Sequence, residues 1–178
     1  MKKNVNAKVA GDLRMGRWQL AAKKLSPLEI WLSFVISSLG RLDCSIVGLD
    51  GRIAAGRQPL PGGGHSYDTS PSVSLSYFWV LGAYELVRVL DQRVREGDPF
   101  CTKNFPGVKS LKLRFERIRI PLAKLEPSRR NKATDFRIAF PVFNSESKST
   151  AWIVAQNVVI SRRELADELL DFLTRSAR

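Results

Sequence analysis

The sequence predicts an α+β fold, mainly α: a helical bundle of three main helices, followed by a β-hairpin and a C-terminal helix. Three observations carry this reading. Apolar residues recur at helical spacing through residues 28–49, 70–96 and 108–125. Phe136, Ile138, Phe140 and Val142 alternate as in a half-buried strand. Between these blocks stand serine-proline and serine-glutamate signals that open helices, and glycine or proline residues that close them.

The first element expected is a short basic helix over residues 12–25. Met15, Trp18, Ala22 and Leu25 share one side, with Arg14, Arg17, Lys23 and Lys24 around it. It reads as an arm docked through Trp18, the alternative being a helix lying on a membrane surface. Ser26-Pro27-Leu28-Glu29 then reads as a capping box, because Ser26 can accept from the Glu29 amide while Pro27 sits where a missing amide costs nothing. Leu28, Leu32, Val35, Leu39, Leu42, Ile46 and Leu49 keep alternating spacings of four and three. That run carries a helix through Gly40 at a cost of about 1 kcal/mol; in the competing reading Gly40 stops it and residues 42–47 form a strand. Trp31, Phe34 and Ile36 widen the apolar face, which predicts burial on more than one side.

Residues 50–70 are rich in glycine and proline and read as a long loop, a length that in compact domains is functional or disordered. A phosphate cradle would need a following Lys-Ser/Thr pair and a helix, which the triple glycine at 62–64 does not have. Ser70-Pro71 opens a second long helix, expected to reach about Glu96 before Gly97 and Pro99 stop it. With Val73, Tyr77 and Val80 on one seam and Leu75, Phe78 and Trp79 on the other, this helix is predicted at the centre of the bundle. Its last half alternates in sign through Glu85, Arg88, Asp91 and Arg95, a self-neutralising ladder.

Residues 108–125 fit a third helix, kinked at Pro121, with Val108, Leu111, Phe115, Ile118 and Leu122 inward. Further on, Pro141 marks an edge strand, NSESKST a turn, and Trp152 and Val154 the returning strand. Ser161 and Glu164 form another capping box for a closing helix with Leu165, Leu169, Phe172 and Leu173 inward. The domain organisation expected is a basic arm over 1–25 and a single globular domain over 26–178, with the bundle at 26–125 and the hairpin plus helix at 135–176.

Charge is distributed unevenly. The 29 Lys/Arg and 17 Asp/Glu give a net charge of +12, of which residues 1–24 carry +6 and residues 101–132 carry +8, while the rest is near neutral or slightly negative. Such footprints suit a polyanion. Two cysteines, Cys44 and Cys101, do not make a disulfide framework or a metal knuckle, which points to a reducing, cytoplasmic setting. The N-terminus has no apolar stretch of a secretory signal, and no run of about 18 consecutive apolar residues predicts a transmembrane segment.

Catalytic chemistry finds little support. His65 is the only histidine, so it is the one candidate for His-dependent catalysis; Ser66 and Asp68 beside it are too close in sequence to align as a triad. Three Cys and His residues in all are too few for a zinc site, and the arginines around Glu85, Asp91, Glu96 and Asp98 offer those acids partners other than a metal. No cofactor or metal is expected. The segment Ser161 to Leu173 resembles the first helix of a helix-turn-helix, but a plain capped amphipathic helix explains the same residues and no reading helix follows.

The expected function is therefore non-enzymatic binding of nucleic acid or another polyanion through a Lys/Arg-rich helix and loop. The residues that would carry it are Lys109, Lys112, Arg114, Arg117, Arg119, Lys124, Arg129 and Arg130. An acidic protein partner would meet the same surface. Aromatic residues for stacking are sparse within it, so backbone and shape recognition is expected rather than base reading.

The two long helices, the second carrying Tyr84-Glu85 and Arg88, also resemble the HEPN-type helical-bundle proteins over about residues 26–125. That resemblance lies in pattern rather than in a signature, and it implies a ribonuclease-like effector of the toxin or defence type. The family's active motif, an Arg four to six residues before a His, is absent. Its nearest counterpart is Arg57 with His65, seven residues between them, in the 50–70 loop.

Overall fold

A computed structural model describes the backbone of residues 2–56 and 70–175 and the side chains of residues 11–56 and 71–175. The described elements run α1 (Lys2–Leu25), α2 (Ile30–Ala54), α3 (Ser70–Arg95), α4 (Pro99–Asn104), α5 (Val108–Lys124), β1 (Phe140–Asn144), β2 (Ser149–Ala155), β3 (Val158–Ser161) and α6 (Arg162–Arg175). The fold is α+β and mainly helical, with one antiparallel sheet in the order β1-β2-β3.

Helices α1, α2, α3 and α5 pack side by side in that order. Strand β2 touches α2, α3 and α5, while α6 touches α1, α5 and β2. The sheet and α6 therefore cover one face of the helical layer. Close approach between the helices follows from small residues. A Cβ on Gly40 would lie 2.5 Å from the Trp18 Cβ, so only glycine lets α1 and α2 meet there. Trp18 is fully buried in that contact. Helices α2 and α3 run antiparallel: the Trp79 indole donates to the Leu39 carbonyl at 3.1 Å, Ser72 meets Asp50 at one end, and Arg93 pairs with Glu29 at the other.

Between the two layers lies a buried ionic cluster. Arg162, Asp43 and Asp50 are each 0% exposed. The Arg162 guanidinium donates to Asp43 and, at 3.4 Å, to Asp50, and it sits 5.7 Å from the Trp79 ring centroid. Arg14 also donates to Asp43, as does the Trp18 indole at 2.8 Å. The Ser72 hydroxyl donates to Asp50 and lies 3.1 Å from Thr150 Oγ1. Two guanidinium groups thus face two carboxylates, so their charges balance and both carboxylates are hydrogen-bonded, while Arg162 Nε has no hydrogen-bond partner among the described residues. Balanced charge and hydrogen-bonded carboxylates are the conditions under which buried charges are tolerated. Burial by itself would raise the Asp43 carboxyl; the Arg14 hydrogen bond and the charges of Arg162 and Arg14 outweigh it and hold the group below its ordinary range.

Several expectations hold and several change. Helix α2 does pass through Gly40, and α3 opens at Ser70. The first helix is longer than the expected 12–25, starting at Lys2. The capping box at Ser26 does not form: α2 begins at Ile30 with Glu29 as N-cap and no side-chain cap. Ser26 instead donates to the Lys23 carbonyl, and Glu29 is drawn across to Arg93. The expected hairpin is a three-stranded meander, because Gln156 and Asn157 turn the chain back into β3. Phe136 and Ile138 precede β1 rather than belong to it, and both are exposed. Trp31, Phe34 and Phe78, expected in the core, face outward.

By length and composition α2 and α3 are apolar enough to cross a membrane, although no unbroken apolar run marks them in the sequence. Both carry ionised groups turned into the fold: Asp43 and Asp50 on α2, and Asp91 on α3.

Candidate polyanion interface

Helix α5 buries Val108, Leu111, Phe115, Ile118 and Pro121, a stripe at helical spacing that seats it against α3 and β2. Its cations flank that stripe, where carboxylates of neighbouring elements reach them. Lys112 donates to Asp91 at 2.7 Å. Arg114 pairs with Glu168 at 2.9 Å. Arg117 holds Asp135 through two bonds of 2.8 Å, which raises the Arg117 pKa further. Arg119 lies 3.8 Å from Glu85 and stacks over the Tyr84 ring at 5.1 Å. Four of the eight residues expected to bind a polyanion thus already have a carboxylate partner, Asp91 being shared with Arg95 and Glu85 with Arg88.

Helix α6 accounts for much of the remaining balance. Its Asp167 and Asp171 take Arg14 and Arg17 of α1, while Glu164 and Glu168 face Arg114 of α5. Among the described residues, α6 thus sets carboxylates against cations of both basic segments. The near-neutral charge count of the C-terminal third had concealed this arrangement.

Lys103 and Lys109 apart, the cations of this region without an acidic partner among the described residues gather at the end of α5 and beyond it. Leu125, in the left-handed conformation at φ 56°, ends the helix. Ser128 donates to Asn131 at 2.9 Å and a 3-10 turn follows over Arg129–Asn131. The double bond from Arg117 to Asp135 pins the far end of this segment, and the Phe136 amide, donating to the Val154 carbonyl at 2.7 Å, ties it to β2. Lys124, Arg129, Arg130, Lys132 and Arg137 are all exposed, and none has an acidic partner among the described residues. Exposed rings lie within the same stretch: Phe136 and Phe140 meet edge to face at 6.1 Å, 39% and 52% exposed.

A groove of about 340 Å³ opens between α5 and this segment, lined by the cations Lys124, Arg129 and Lys132, the acids Glu116 and Glu126, and Ile120 and Pro127. A second, of about 170 Å³, lies on the other side of Arg129, beside Leu113, Ser128 and Arg130. Glu116 borders both grooves, so an anion would settle toward their basic rim rather than their floor.

Of the sequence candidates, then, Lys124, Arg129 and Arg130 come together. Lys109 is exposed and free at the start of α5, and Lys112, Arg114, Arg117 and Arg119 serve internal pairs. Sequence reasoning missed Arg137 and the rings. Their signal was the interleaving Phe136-Arg137-Ile138, which reads equally as strand alternation. Phe105 and Phe115, the aromatics inside the basic segment, are buried. Arg57 and His65, and with them the ribonuclease-like site, lie outside the described residues. Comparison with protein-family models, curated proteins and solved structures finds no match for this chain.

Proposed function

We propose that the protein binds nucleic acid through the segment that follows α5, with Lys124, Arg129, Arg130, Lys132 and Arg137 on the phosphates and Phe136 and Phe140 offering faces for bases. The observation that carries this reading is a contrast in pairing. The arginines on α5 are held by carboxylates, whereas Lys124 at its end and four cations in the next 13 residues are exposed and have no acidic partner among the described residues, with the exposed rings of Phe136 and Phe140 close by in sequence. Cations that track phosphates, beside rings that accept any base, are the parts of a sequence-tolerant single-strand site.

The test is binding of an unstructured RNA oligonucleotide, followed by fluorescence anisotropy at two salt concentrations. Five phosphate contacts on a single strand weaken binding by about 100-fold between 50 and 200 mM salt. Replacing Arg129, Arg130, Lys132 and Arg137 with Gln should remove most of that affinity and flatten the salt dependence, while Lys103→Gln with Lys109→Gln leaves both nearly unchanged. Phe140→Ala should cost about 1–3 kcal/mol of binding if a base stacks there. Absent or salt-indifferent binding would remove the proposal, and specific capture of an acidic protein by the same four cations would replace it.

A further inference from the structure

The outer face of α2 has a composition at odds with an ordinary solvent-facing helix. Ile30, Trp31, Phe34 and Val35 are 74%, 67%, 59% and 36% exposed in its first two turns. Seven residues beyond Phe34, on the same face, stands Arg41, and Arg52 follows eleven residues, about three turns, further along; both are exposed and neither has an acidic partner among the described residues. The other exposed positions of α2 are small: Ser45, Gly48, Gly51 and Ala54. Both acids of the helix, Asp43 and Asp50, are buried in the ionic cluster. What α2 presents outward is therefore apolar and aromatic at one end and cationic at the other, with no carboxylate. Beside it, α1 adds Leu20, 49% exposed, and the exposed Lys23.

We propose that this face of α2 docks on an anionic bilayer, Trp31 and Phe34 entering the headgroup boundary while Arg41 and Arg52 meet lipid phosphates. Trp and Phe with Arg on one exposed helical face is the pattern of helices that lie in the membrane interface, where binding scales with apolar area and attraction to anionic lipid. Charge complementarity selects this occupant over a second copy of the chain. Self-association across the face would bring α2 cations toward their counterparts and set two molecules of net charge +12 side by side. An anionic surface instead relieves both terms. The docking face is separate from the basic segment after α5 and stands independently of the nucleic-acid reading.

Trp31 is also the reporter. The other three tryptophans, Trp18, Trp79 and Trp152, are at most 1% exposed, so quenching of tryptophan emission by iodide reads position 31. The full chain is mixed with vesicles of phosphatidylcholine alone, or of phosphatidylcholine with phosphatidylglycerol, and floated through a density gradient. The expected result is flotation with the anionic vesicles only, with a blue shift of Trp31 emission and loss of iodide quenching. Arg41→Gln with Arg52→Gln should lower partitioning about 30-fold, and Phe34→Ser should lower it further; both changes are on the exposed surface, and circular dichroism checks the fold. No flotation, or equal partitioning into neutral vesicles, would overturn the proposal. So would Trp31 protection without lipid alongside a dimer in sedimentation equilibrium, which assigns the face to a second copy. Loss of flotation on replacing Arg129, Arg130, Lys132 and Arg137, with α2 intact, would move the lipid contact elsewhere and equally refute it.

Discussion

Asp43 accepts from Arg14, Trp18 and Arg162, which belong to α1, α1 and the start of α6. Removing its charge would leave two guanidinium groups facing one remaining interior carboxylate, Asp50. Breaking a buried pair in this way costs about 3–5 kcal/mol, whereas truncation of the exposed, unpaired Lys109 should stay within about 0.5 kcal/mol. Urea denaturation of Asp43→Asn and Lys109→Ala measures the difference. The same experiment repeated across pH tests the carboxylate itself. Its folded pKa is depressed, so its contribution is complete above the unfolded value of 3.8 and is lost as pH falls through the folded value. Wild-type stability should be level near neutrality and decline below about pH 4, and the Asn variant should lose part of that decline. Asp43 and Asp50 continue the spacing of Leu32, Ile36, Leu39 and Ile46 along the buried side of α2, but an acid is read by its type as a surface residue and so the seam was traced through the leucines instead. Burying them requires arginines from 29 and 119 residues away, and pairings at that separation leave no local trace. Cys101 was equally silent: burial pushes its thiol up to about 11, which keeps it from reacting as a thiolate at neutral pH.

Helix boundaries and strand order were legible where local chemistry decides them. Gly40 survived inside α2 because the apolar spacing on both sides of it outweighs its propensity, and the structure gives its positive reason, the Trp18 ring lying against it. Gly40→Ala should therefore destabilise by about 1–3 kcal/mol through overpacking. Gly48, also in α2 and with open space around its Cα, should gain up to about 1 kcal/mol from the same substitution. Thermal melts of the two variants moving in opposite directions would check the assignment; a matched loss would show that α2 is strained throughout. The serine-glutamate pair worked as a start signal at Ser161, where the Glu164 amide reaches Ser161 Oγ at 3.5 Å, and failed at Ser26. The difference is tertiary: Glu29 has Arg93 within reach and Ser26 lies at the end of α1. Trp31 and Phe34 were assigned to the core because periodicity reports that a face is apolar, not whether anything covers it.

At the scale of the molecule, charge counting located the two basic segments but not their fate. Net charge by segment treats Glu164, Asp167, Glu168 and Asp171 as cancelling the arginines near them in sequence, whereas in space they serve α1 and α5. Partial burial, with the charge of Glu164 nearby, raises the Glu168 carboxyl even with Arg114 beside it. Among the described residues of the second basic segment, the unpaired charge consequently concentrates at the end of α5 and in the segment between it and β1, with Lys103 and Lys109 apart from it.

The position of Arg162 also orders events during synthesis. Its two carboxylate partners leave the ribosome 112 and 119 residues earlier, and until α6 follows their described partners are Arg14, Trp18 and Ser72. A nascent chain ending before residue 162 must keep that interior open to water, so consolidation is a late event tied to the last helix. Ribosome-stalled chains ending at residue 160 should be digested rapidly by protease, and chains extended beyond residue 175 by a linker spanning the exit tunnel should resist.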